Sequence, residues 1–270
     1  MDVHVVVTGA AGGIGLGICE AFAAQGAVVT GVDLRQSELE DAMAALAARY
    51  GWAPRALAGD LADEVTASHI VEEAWDRHGP VDVLVNAAGI YPATPFLELS
   101  ARSWDHVQAV NVRAAMLATR SLAARAVATG RPACTVNISS GAALRARPGA
   151  AHYCTSKAAL EMLTKAAAVE LGQYRIRVNA VSPGFVDVGS SVNPVTEEYA
   201  AAVSESPLGR RGRPSDIAAA VLFLARPESE WITGVILRVD GGASAGAVGL
   251  PLHWPEETGL QRAPVGAAPS

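Results

Sequence analysis

The sequence predicts an α/β fold in which a single domain forms a doubly wound parallel sheet with helices on both faces. Short apolar runs rich in β-branched residues alternate with longer helical segments, as in folds built from repeated strand–helix units. The runs are uninterrupted, which is typical of strands buried on both faces of a parallel sheet. Glycines and reactive side chains follow many of these runs, and parallel sheets bind ligands at the carboxyl ends of their strands.

Seven apolar runs are predicted to be strands, and helical segments separate most of them. The predicted strands cover residues 5–7, 27–32, 55–58, 81–85, 134–138, 177–181 and 235–239. The first predicted helix stops at Gly26, and the others cover residues 36–50, 64–78, 100–130, 153–171 and 214–225. Residues 1–245 are therefore predicted to form one domain. Residues 246–270 contain many prolines and glycines, which predicts an irregular C-terminal extension.

The composition is typical of a globular protein with a large apolar core. The chain has 270 residues, of which 50% are hydrophobic, and a formal net charge of −6. This content is sufficient for one large domain, and the negative charge argues against binding to nucleic acid. Three cysteines without metal-binding spacing and the lack of an apolar run long enough for a membrane predict a cytoplasmic protein without a metal or membrane partner.

A glycine-rich turn between the first strand and the first helix predicts a nucleotide site. Gly9, Gly13 and Gly15 lie in this turn, and glycines allow backbone to approach a pyrophosphate at a helix N-terminus. Asp33 ends the second apolar run, 18 residues after Gly15, near the spacing expected for a carboxylate that binds a ribose hydroxyl. A plain tight turn and a helix-capping aspartate are the alternatives, and the order of these features favours the nucleotide.

Three residues in the later part of the chain could move a proton together. Tyr153 and Lys157 are four residues apart, so on a helix they share one face, and Ser140 follows a predicted strand. A phenol titrates near pH ~10, and an ammonium one turn away is expected to lower its pKa by about 1–3 units. The pattern predicts acid–base chemistry at an alcohol oxygen. The alternative is a surface lysine above a half-buried tyrosine.

The ordered motifs resemble those of the short-chain dehydrogenase/reductase family over most of the chain. The family's T-G-x-x-x-G-x-G motif matches residues 8–15, and its N-N-A-G motif matches residues 86–89 with alanine for the second asparagine. Its P-G and D-G-G motifs match residues 183–184 and 240–242. The resemblance implies a Rossmann-like fold and an oxidoreductase that transfers a hydride between NAD and a hydrophobic secondary alcohol or ketone.

The resemblance also implies a role for each catalytic residue. Tyr153 is the general acid or base, Lys157 favours the phenolate and binds the nicotinamide ribose, and Ser140 holds the substrate oxygen. Ser140 is preferred to Ser139 because the family's serine lies thirteen residues before the tyrosine. Asn111 resembles the residue that anchors a water between Lys157 and solvent. Its alternative is a helix-interior asparagine bonded to backbone.

The residues expected to bind the cofactor follow predicted strand ends. They are Gly9, Gly13, Ile14, Gly15, Asp33, Leu34, Asp60, Leu61, Asn86, Ala87, Gly89, Tyr153, Lys157, Pro183, Gly184 and Val186. Asp33 can accept hydrogen bonds from the adenosine 2′-hydroxyl and repels a 2′-phosphate, so NAD is expected rather than NADP. Arg35 is the nearest cation and is expected to be a solvated residue at a helix start.

The candidate substrate residues are mostly apolar. They are Tyr91, Leu144, His152, Phe185 and Val188, with Pro92 and Phe96 beside them in the sequence-based pocket. The family often has a threonine at the position of Val188, so one side-chain contact with the carboxamide is lost. Residues 89–92 resemble those of members that act on cyclic or aromatic secondary alcohols. Arg145 and Arg147 are expected to be solvated, and the alternative is that they pair with a substrate carboxylate or phosphate.

Two other functions and an assembly remain as expectations. One function is a 3-oxoacyl-thioester reductase, which typically uses NADPH, and Asp33 argues against it. The other is a non-catalytic NAD-binding regulator, although such proteins usually lose the tyrosine or the lysine. The resemblance implies a homotetramer, or at least a dimer, through helices near residues 103–129 and 152–172. The apolar segment 250–254 is predicted to pack on a neighbouring subunit.

Overall fold

The computed structural model describes residues 3–52, 55–188 and 195–246, and the apolar segment 250–254 lies outside them. The described residues form a seven-stranded sheet in the order β3-β2-β1-β4-β5-β6-β7, and every neighbouring pair is parallel. The strands are β1 (His4–Thr8), β2 (Val28–Asp33), β3 (Ala56–Ala58), β4 (Val83–Asn86), β5 (Ala133–Ile138), β6 (Ile176–Pro183) and β7 (Ile236–Val239). The chain order reverses between β1 and β4, which confirms the predicted doubly wound sheet.

Helices pack on both faces of the sheet. They are α1 (Gly13–Ala24), α2 (Gln36–Tyr50), α3 (Glu64–His78), α4 (Ala101–Gln108), α5 (Ala114–Thr129), α6 (Ala151–Leu171), α7 (Glu197–Val203) and α8 (Pro214–Ala225). Val5 and Val7 of β1 face a cluster with α1 and α8, whereas Val6 faces a cluster with α3 and α5. All three valines are fully buried, and this burial explains the uninterrupted apolar run.

Short polar side chains and glycines mark the ends of several helices. The Asp63 carboxylate accepts a hydrogen bond from the backbone N–H of Thr66 and caps α3, and Ser100 caps α4 in the same way. Gly51 and Gly130 follow α2 and α5 in the left-handed region, with φ of 76° and 66°. These local signals explain why the predicted ends at residues 50 and 130 lie close to the observed ones.

The predicted helix over residues 100–130 is interrupted. A π-helical segment, Ala109–Arg113, joins α4 to α5, and Asn111 lies within it. Single π-helical turns occur often at functional sites because they re-aim the side chains of a helix. Helix α7 is an additional element that the hydrophobic pattern does not indicate. Within the described ranges, no helix has the length and apolar character required to cross a bilayer.

Candidate active site

The carboxyl ends of β1 and β4 are joined closely at one edge of the sheet. The Thr8 hydroxyl accepts hydrogen bonds from the backbone N–H groups of Ala87 and Ala88, both at 3.0 Å. A Cβ atom added at Gly9 would lie 2.9 Å from the Ala88 backbone, and the φ of Gly9 is +71°. Only glycine permits this approach, so the first turn is fixed against the loop that follows β4.

The glycines of the turn leave an open cradle at the start of α1. A Cβ atom at Gly15 would lie 2.0 Å from the carbonyl oxygen of Gly9, so a side chain has no space there. Gly12, the residue before α1, provides no side-chain cap, so the first N–H groups of the helix are available to an anion. Farther along the sheet, after β6, a Cβ atom at Gly184 would lie 2.9 Å from Asp240 Cα. The cradle fits the pyrophosphate of a dinucleotide.

Asp33 lies at the end of β2 beside this cradle and is 8% exposed. Its Oδ2 accepts a hydrogen bond from Ala11 N at 3.0 Å, and its Oδ1 accepts one from Arg35 N at 3.1 Å. Arg35 Nε also lies 3.3 Å from Oδ1, so Arg35 forms an ion pair and is not the solvated residue expected from the sequence. The neighbouring Leu34 is 65% exposed.

The other predicted cofactor residues are distributed along the same edge. Asp60 is exposed and accepts a hydrogen bond from Ala62 N, whereas Leu61 is buried. Asn86 Nδ2 donates to Asn137 Oδ1 at 2.8 Å, which links the ends of β4 and β5. Val186 forms an isolated β-bridge with Gly212. The structure thus brings the predicted residues to one edge, as expected for strand ends of a parallel sheet.

Ser140, Tyr153 and Lys157 come together beyond β5 and on the first turns of α6. Tyr153 and Lys157 are 8% and 5% exposed, and Lys157 Nζ lies 5.9 Å from the centroid of the Tyr153 ring. Lys157 Nζ donates a hydrogen bond to Ile138 O at 2.8 Å. The Ser140 side chain is close enough to Tyr153 to lower the pKa of its phenol, whereas the Ser139 hydroxyl donates to Glu161 Oε1 at 2.9 Å. Ser140 is therefore the serine that can reach a substrate at Tyr153.

The pKa values of Tyr153 and Lys157 are shifted by burial, and the shift of Tyr153 is opposite to the one expected from the sequence. Burial raises the pKa of Tyr153 above its ordinary value, while Ser140 and the positive charge of Arg147 act in the opposite direction. Burial also lowers the pKa of Lys157 to about 8. The sequence-based expectation of a lowered Tyr153 pKa is therefore wrong for the protein without its cofactor. The physical reason is that desolvation disfavours the charged form of both partners.

Asn111 holds the loop that follows β4. Its Oδ1 accepts a hydrogen bond from Ile90 N, and its Nδ2 donates to Ile90 O, both at 2.9 Å. Nδ2 also donates to Ser156 Oγ at 3.0 Å. A Cβ atom at Gly89 would lie 3.4 Å from Asn111 Oδ1 and 3.5 Å from Lys157 Nζ, so these groups are close. Asn111 thus bonds backbone from another segment, and its role as a water anchor stays a prediction.

Three of the candidate substrate residues lie in a tyrosine contact, at the surface and beside an arginine. The Tyr91 ring packs against the Tyr153 ring with centroids 5.6 Å apart and planes tilted by 52°. Leu144, in the loop after Ser140, is 51% exposed. Phe185 is half-buried, and the guanidinium of Arg211 lies 5.6 Å from the centroid of its ring.

Val188 packs beside the glycine-rich turn, and His152 packs in the interior. Val188 Cβ would lie 3.4 Å from a Cβ atom at Gly13, so Val188 packs on the glycine-rich turn. His152 is fully buried, and neither ring nitrogen has a hydrogen-bond partner among the described residues. Burial lowers the pKa of His152, which favours the neutral ring. In this structure, then, His152 lies in the interior and Val188 lies on the cofactor side.

Arg147 is a site residue that the sequence places in solvent and the structure places over Tyr153. Its guanidinium carbon lies 5.7 Å from the centroid of the Tyr153 ring and 6.0 Å from that of Tyr199 on α7. Nη1 donates to the Tyr199 hydroxyl at 2.7 Å. Arg145 is instead exposed and donates to Ala243 O at 2.9 Å. No sequence signal separates the two arginines, because Tyr199 is 52 residues from Arg147.

All three cysteines are free and buried. Cys19 lies in α1, Cys134 in β5 and Cys154 beside Tyr153 in α6. Burial raises the pKa of the Cys134 thiol to about 11 and also raises the pKa of the Cys19 thiol. Neither of these two thiols has the lowered pKa of a reactive cysteine.

Known proteins resemble this chain over nearly its whole described length. A family model described as enoyl-(acyl carrier protein) reductase matches residues 9–244. A galactitol 2-dehydrogenase (L-tagatose-forming) of Cereibacter sphaeroides is 40% identical over 244 residues, covering 87% of this chain and 92% of the relative. A cyclopentanol dehydrogenase of Comamonas sp. is 35% identical over 246 residues, covering 90% and 98%. A 3-oxoacyl-[acyl-carrier-protein] reductase of Thermotoga maritima is 34% identical over 238 residues, covering 88% and 96%.

Two solved structures have the same fold. A candidate NAD(P)-dependent gluconate 5-dehydrogenase of Beutenbergia cavernae, with NADP at low occupancy, superposes with a TM-score of 0.84 at 33% identity, covering 90% of this chain and 97% of that chain. A 4-hydroxyisoleucine dehydrogenase complexed with NADH superposes with a TM-score of 0.78 at 29% identity, covering 91% and 100%. The chain belongs to the short-chain dehydrogenase/reductase family. It is an oxidoreductase that acts on CH–OH groups with a nicotinamide cofactor.

Proposed function

We propose that the protein is an NAD-dependent dehydrogenase that interconverts a hydrophobic secondary alcohol and its ketone. The observation that carries this proposal is the meeting of Ser140, Tyr153 and Lys157 at the same sheet edge as the glycine cradle. A proton-transfer group and a dinucleotide site side by side are the two parts that hydride transfer from an alcohol requires.

The residues divide the chemistry as follows. During alcohol oxidation, Tyr153 Oη accepts the hydroxyl proton, and the Ser140 hydroxyl donates a hydrogen bond to the oxygen on which charge develops. The nicotinamide, when bound, supplies the hydride acceptor. Lys157, with a pKa of about 8, can hold or release a proton near neutral pH beside the phenol. Lys157 and Arg147 provide the positive charge that the Tyr153 phenolate needs in a buried site.

The preference for NAD rests on Asp33. Its carboxylate stands at the end of β2, where it can accept from a ribose 2′-hydroxyl and repel a 2′-phosphate. Arg35 partly offsets this repulsion, because it forms an ion pair with Asp33. Its Nη2 also lies 3.8 Å from a Cβ atom at Gly12, beside the cradle. The test is kcat/KM with each cofactor, and we expect the value for NAD to be higher. A higher value for NADP contradicts this reading of Asp33.

The relatives support oxidation at a secondary hydroxyl group, and the apolar neighbours of Tyr153 support a hydrophobic substrate. Galactitol and cyclopentanol, in the names of two relatives, are oxidised at secondary hydroxyl groups, and residues 89–92 support the cyclic class. Residues expected near the substrate, such as Tyr91 and Phe185, are aromatic. A 3-oxoacyl-thioester reductase is the second candidate, since one relative carries that name, and Asp33 argues against its usual NADPH. A non-catalytic regulator is disfavoured because both Tyr153 and Lys157 are present.

We also propose that the protein is a homotetramer, or at least a dimer. A groove on the outer side of α4, α5 and α6 is lined partly by Met116 and Leu163. On α6, Met162 and Val169 are 63% and 82% exposed. Exposed apolar side chains on one helix indicate a contact surface. Light scattering at micromolar concentration is expected to give a mass of two or four chains, and a monomer mass refutes the proposal.

The decisive experiment combines a substrate screen with one substitution. Secondary alcohols and ketones are offered with NAD and with NADP, and reduced nicotinamide is followed by its absorbance. Tyr153→Phe is expected to lower kcat by roughly 10²–10⁴-fold, because it removes the proton-transfer group and little else. NADH binding, followed by fluorescence, is expected to stay nearly unchanged. A variant that keeps more than about a tenth of kcat contradicts the role of Tyr153.

A further inference from the structure

We propose that Arg147 binds an anionic group of the substrate, a carboxylate or a phosphate, so that the natural substrate is an acidic hydroxy compound. This inference rests on the proposed function, because it identifies the substrate of the same site. The body of the molecule contacts the apolar residues near Tyr153, and its charged end contacts the guanidinium.

Position is the first argument. Arg147 stands between the catalytic tyrosine and α7, with its guanidinium carbon 5.7 Å from the Tyr153 ring centroid. The positive charge of Arg147 acts to lower the pKa of Tyr153, against the larger effect of burial. A compound whose hydroxyl carbon lies at Tyr153 Oη therefore has Arg147 as its nearest cation on the loop after Ser140.

Charge is the second argument. Among the described residues, no carboxylate forms an ion pair with Arg147, and its buried Nε has no hydrogen-bond partner. Two arginines near α7 are paired differently, since Arg210 binds Asp216 and Arg211 binds Glu197. A partly buried cation without a carboxylate partner gains stability when an anion arrives.

Geometry is the third argument. The Tyr153 and Tyr199 rings are close enough for cation–π contacts, which use the face of the guanidinium. The hydrogen-bond donors lie instead in the guanidinium plane, and Nη1 uses one of its donors for the Tyr199 hydroxyl. The Nη2 donors and the other Nη1 donor remain, and this end of the guanidinium matches the two oxygens of a carboxylate or phosphate.

Two other roles for Arg147 predict a different result. If Arg147 only stabilises the Tyr153 phenolate, its removal slows neutral and anionic substrates alike. If it only fastens α7 through Tyr199, its removal also affects both kinds of substrate alike. Only direct binding of an anion makes the effect depend on the charge of the substrate, and the experiment measures that dependence.

The test uses pairs of substrates in which one member is anionic and the other is its neutral derivative. Each hydroxy carboxylate, over a range of chain lengths, is compared with its primary amide, and each hydroxyalkyl phosphate with its neutral dimethyl ester. The measured quantity is the ratio of kcat/KM for the anion to that for its neutral partner. The variants are Arg147→Gln and Arg147→Lys, and Arg145→Gln in the same loop is the matched control.

We expect the wild-type protein to prefer one anion class and Arg147→Gln to lower that ratio by roughly 10²-fold, as for a lost charge-assisted pair. Arg147→Lys should retain part of the ratio, and Arg145→Gln should leave it unchanged. The carboxylate and phosphate arms decide which anion is bound. A wild-type protein without preference, or an unchanged ratio in Arg147→Gln, overturns the proposal.

A binding measurement separates this proposal from the proposed function. With NADH present, the anionic compounds are expected to raise the melting temperature of the wild-type protein more than their neutral partners do. Arg147→Gln, whose own melting temperature reports whether it folds, should lose that difference. If no compound is turned over but the anions still stabilise through Arg147, the proposed function fails, and anion binding by Arg147 stands without a substrate assignment. If neutral alcohols are oxidised and anions neither react preferentially nor stabilise, only this inference fails.

Discussion

The glycine-rich turn after β1 and the region around Tyr153 are held in shape by different kinds of contact. At the turn, backbone lies against backbone, since Gly15 faces the carbonyl oxygen of Gly9 and Gly9 faces the Ala88 backbone. Around Tyr153, side chains from distant segments meet, and Arg147 with Tyr199 is an example. The first region accepts almost no change of side chain, whereas the second can change its side chains and, with them, its substrate.

The largest effect is expected from Gly15→Ala, which places an atom where the turn has no space. Because the added Cβ would lie 2.0 Å from Gly9 O, the turn has to open, and the free energy of unfolding should fall by about 3 kcal/mol or more. Gly12→Ala is the matched control, because its φ of 180° suits any residue and its nearest neighbour is 3.8 Å away. Denaturant unfolding measures both, and equal losses would break the comparison.

Asp33→Ala tests the side chain that is proposed to select the cofactor. Loss of a charged acceptor is expected to lower the ratio of kcat/KM for NAD to that for NADP by about 10–100-fold. Asp33→Asn keeps an acceptor for Ala11 N and removes only the charge, so it should recover part of the NAD binding and still relax the exclusion of NADP. Unchanged cofactor ratios in both variants would show that Asp33 does not set the preference.

Lys157→Met tests the electrostatics of the side-chain region through pH. The pKa of Lys157 is about 8 in the folded protein and about 10.4 when exposed, so the unfolded chain binds more protons between these values. Stability from this group therefore rises with pH across that window and is lowest below pH 8. Relative to Lys157→Met, the wild-type free energy of unfolding should rise by about 1 kcal/mol from pH 7 to 9. Exposed Lys165→Met on the same helix should give no such rise.

Tyr199→Phe should have the smallest effect. The substitution removes the hydroxyl that accepts from Arg147 Nη1 and keeps the ring, and Tyr199 is 37% exposed. Because a partly exposed hydrogen bond contributes little, the free energy of unfolding should change by less than about 1 kcal/mol. Thermal melting measures this change, and a loss as large as that of Gly15→Ala would contradict the contrast between the two regions.

The comparison also explains how far the sequence can predict this molecule. Residues 5–7 predict a strand because both faces are buried, and the spacing of Tyr153 and Lys157 predicts their common face because a helix repeats. The roles of Gly9 and Gly15 can be predicted from the sequence, because the turn requires residues without a side chain at these positions. For these reasons, the sequence predicts the fold and the edge of the sheet at which the site lies.

What the sequence does not reveal depends on contacts between distant segments or on burial. The π-helical segment around Asn111 leaves the apolar pattern of residues 100–130 continuous, so no local signal marks it. Arg147 and Arg145 look alike until α7 brings Tyr199 beside one of them. Likewise, spacing suggests a lowered Tyr153 pKa, but the sign depends on desolvation, which is a property of the folded chain.

The three buried thiols can report when the structure around each of them opens. A thiol reagent reacts with the thiolate, and at pH 8 burial and the raised pKa leave Cys19 and Cys134 unreactive until the surrounding structure opens. Cys19 sits in the helix that follows the glycine turn, whereas Cys154 sits next to Tyr153. The order in which Cys19 and Cys154 become labelled therefore reports which of the two regions opens first.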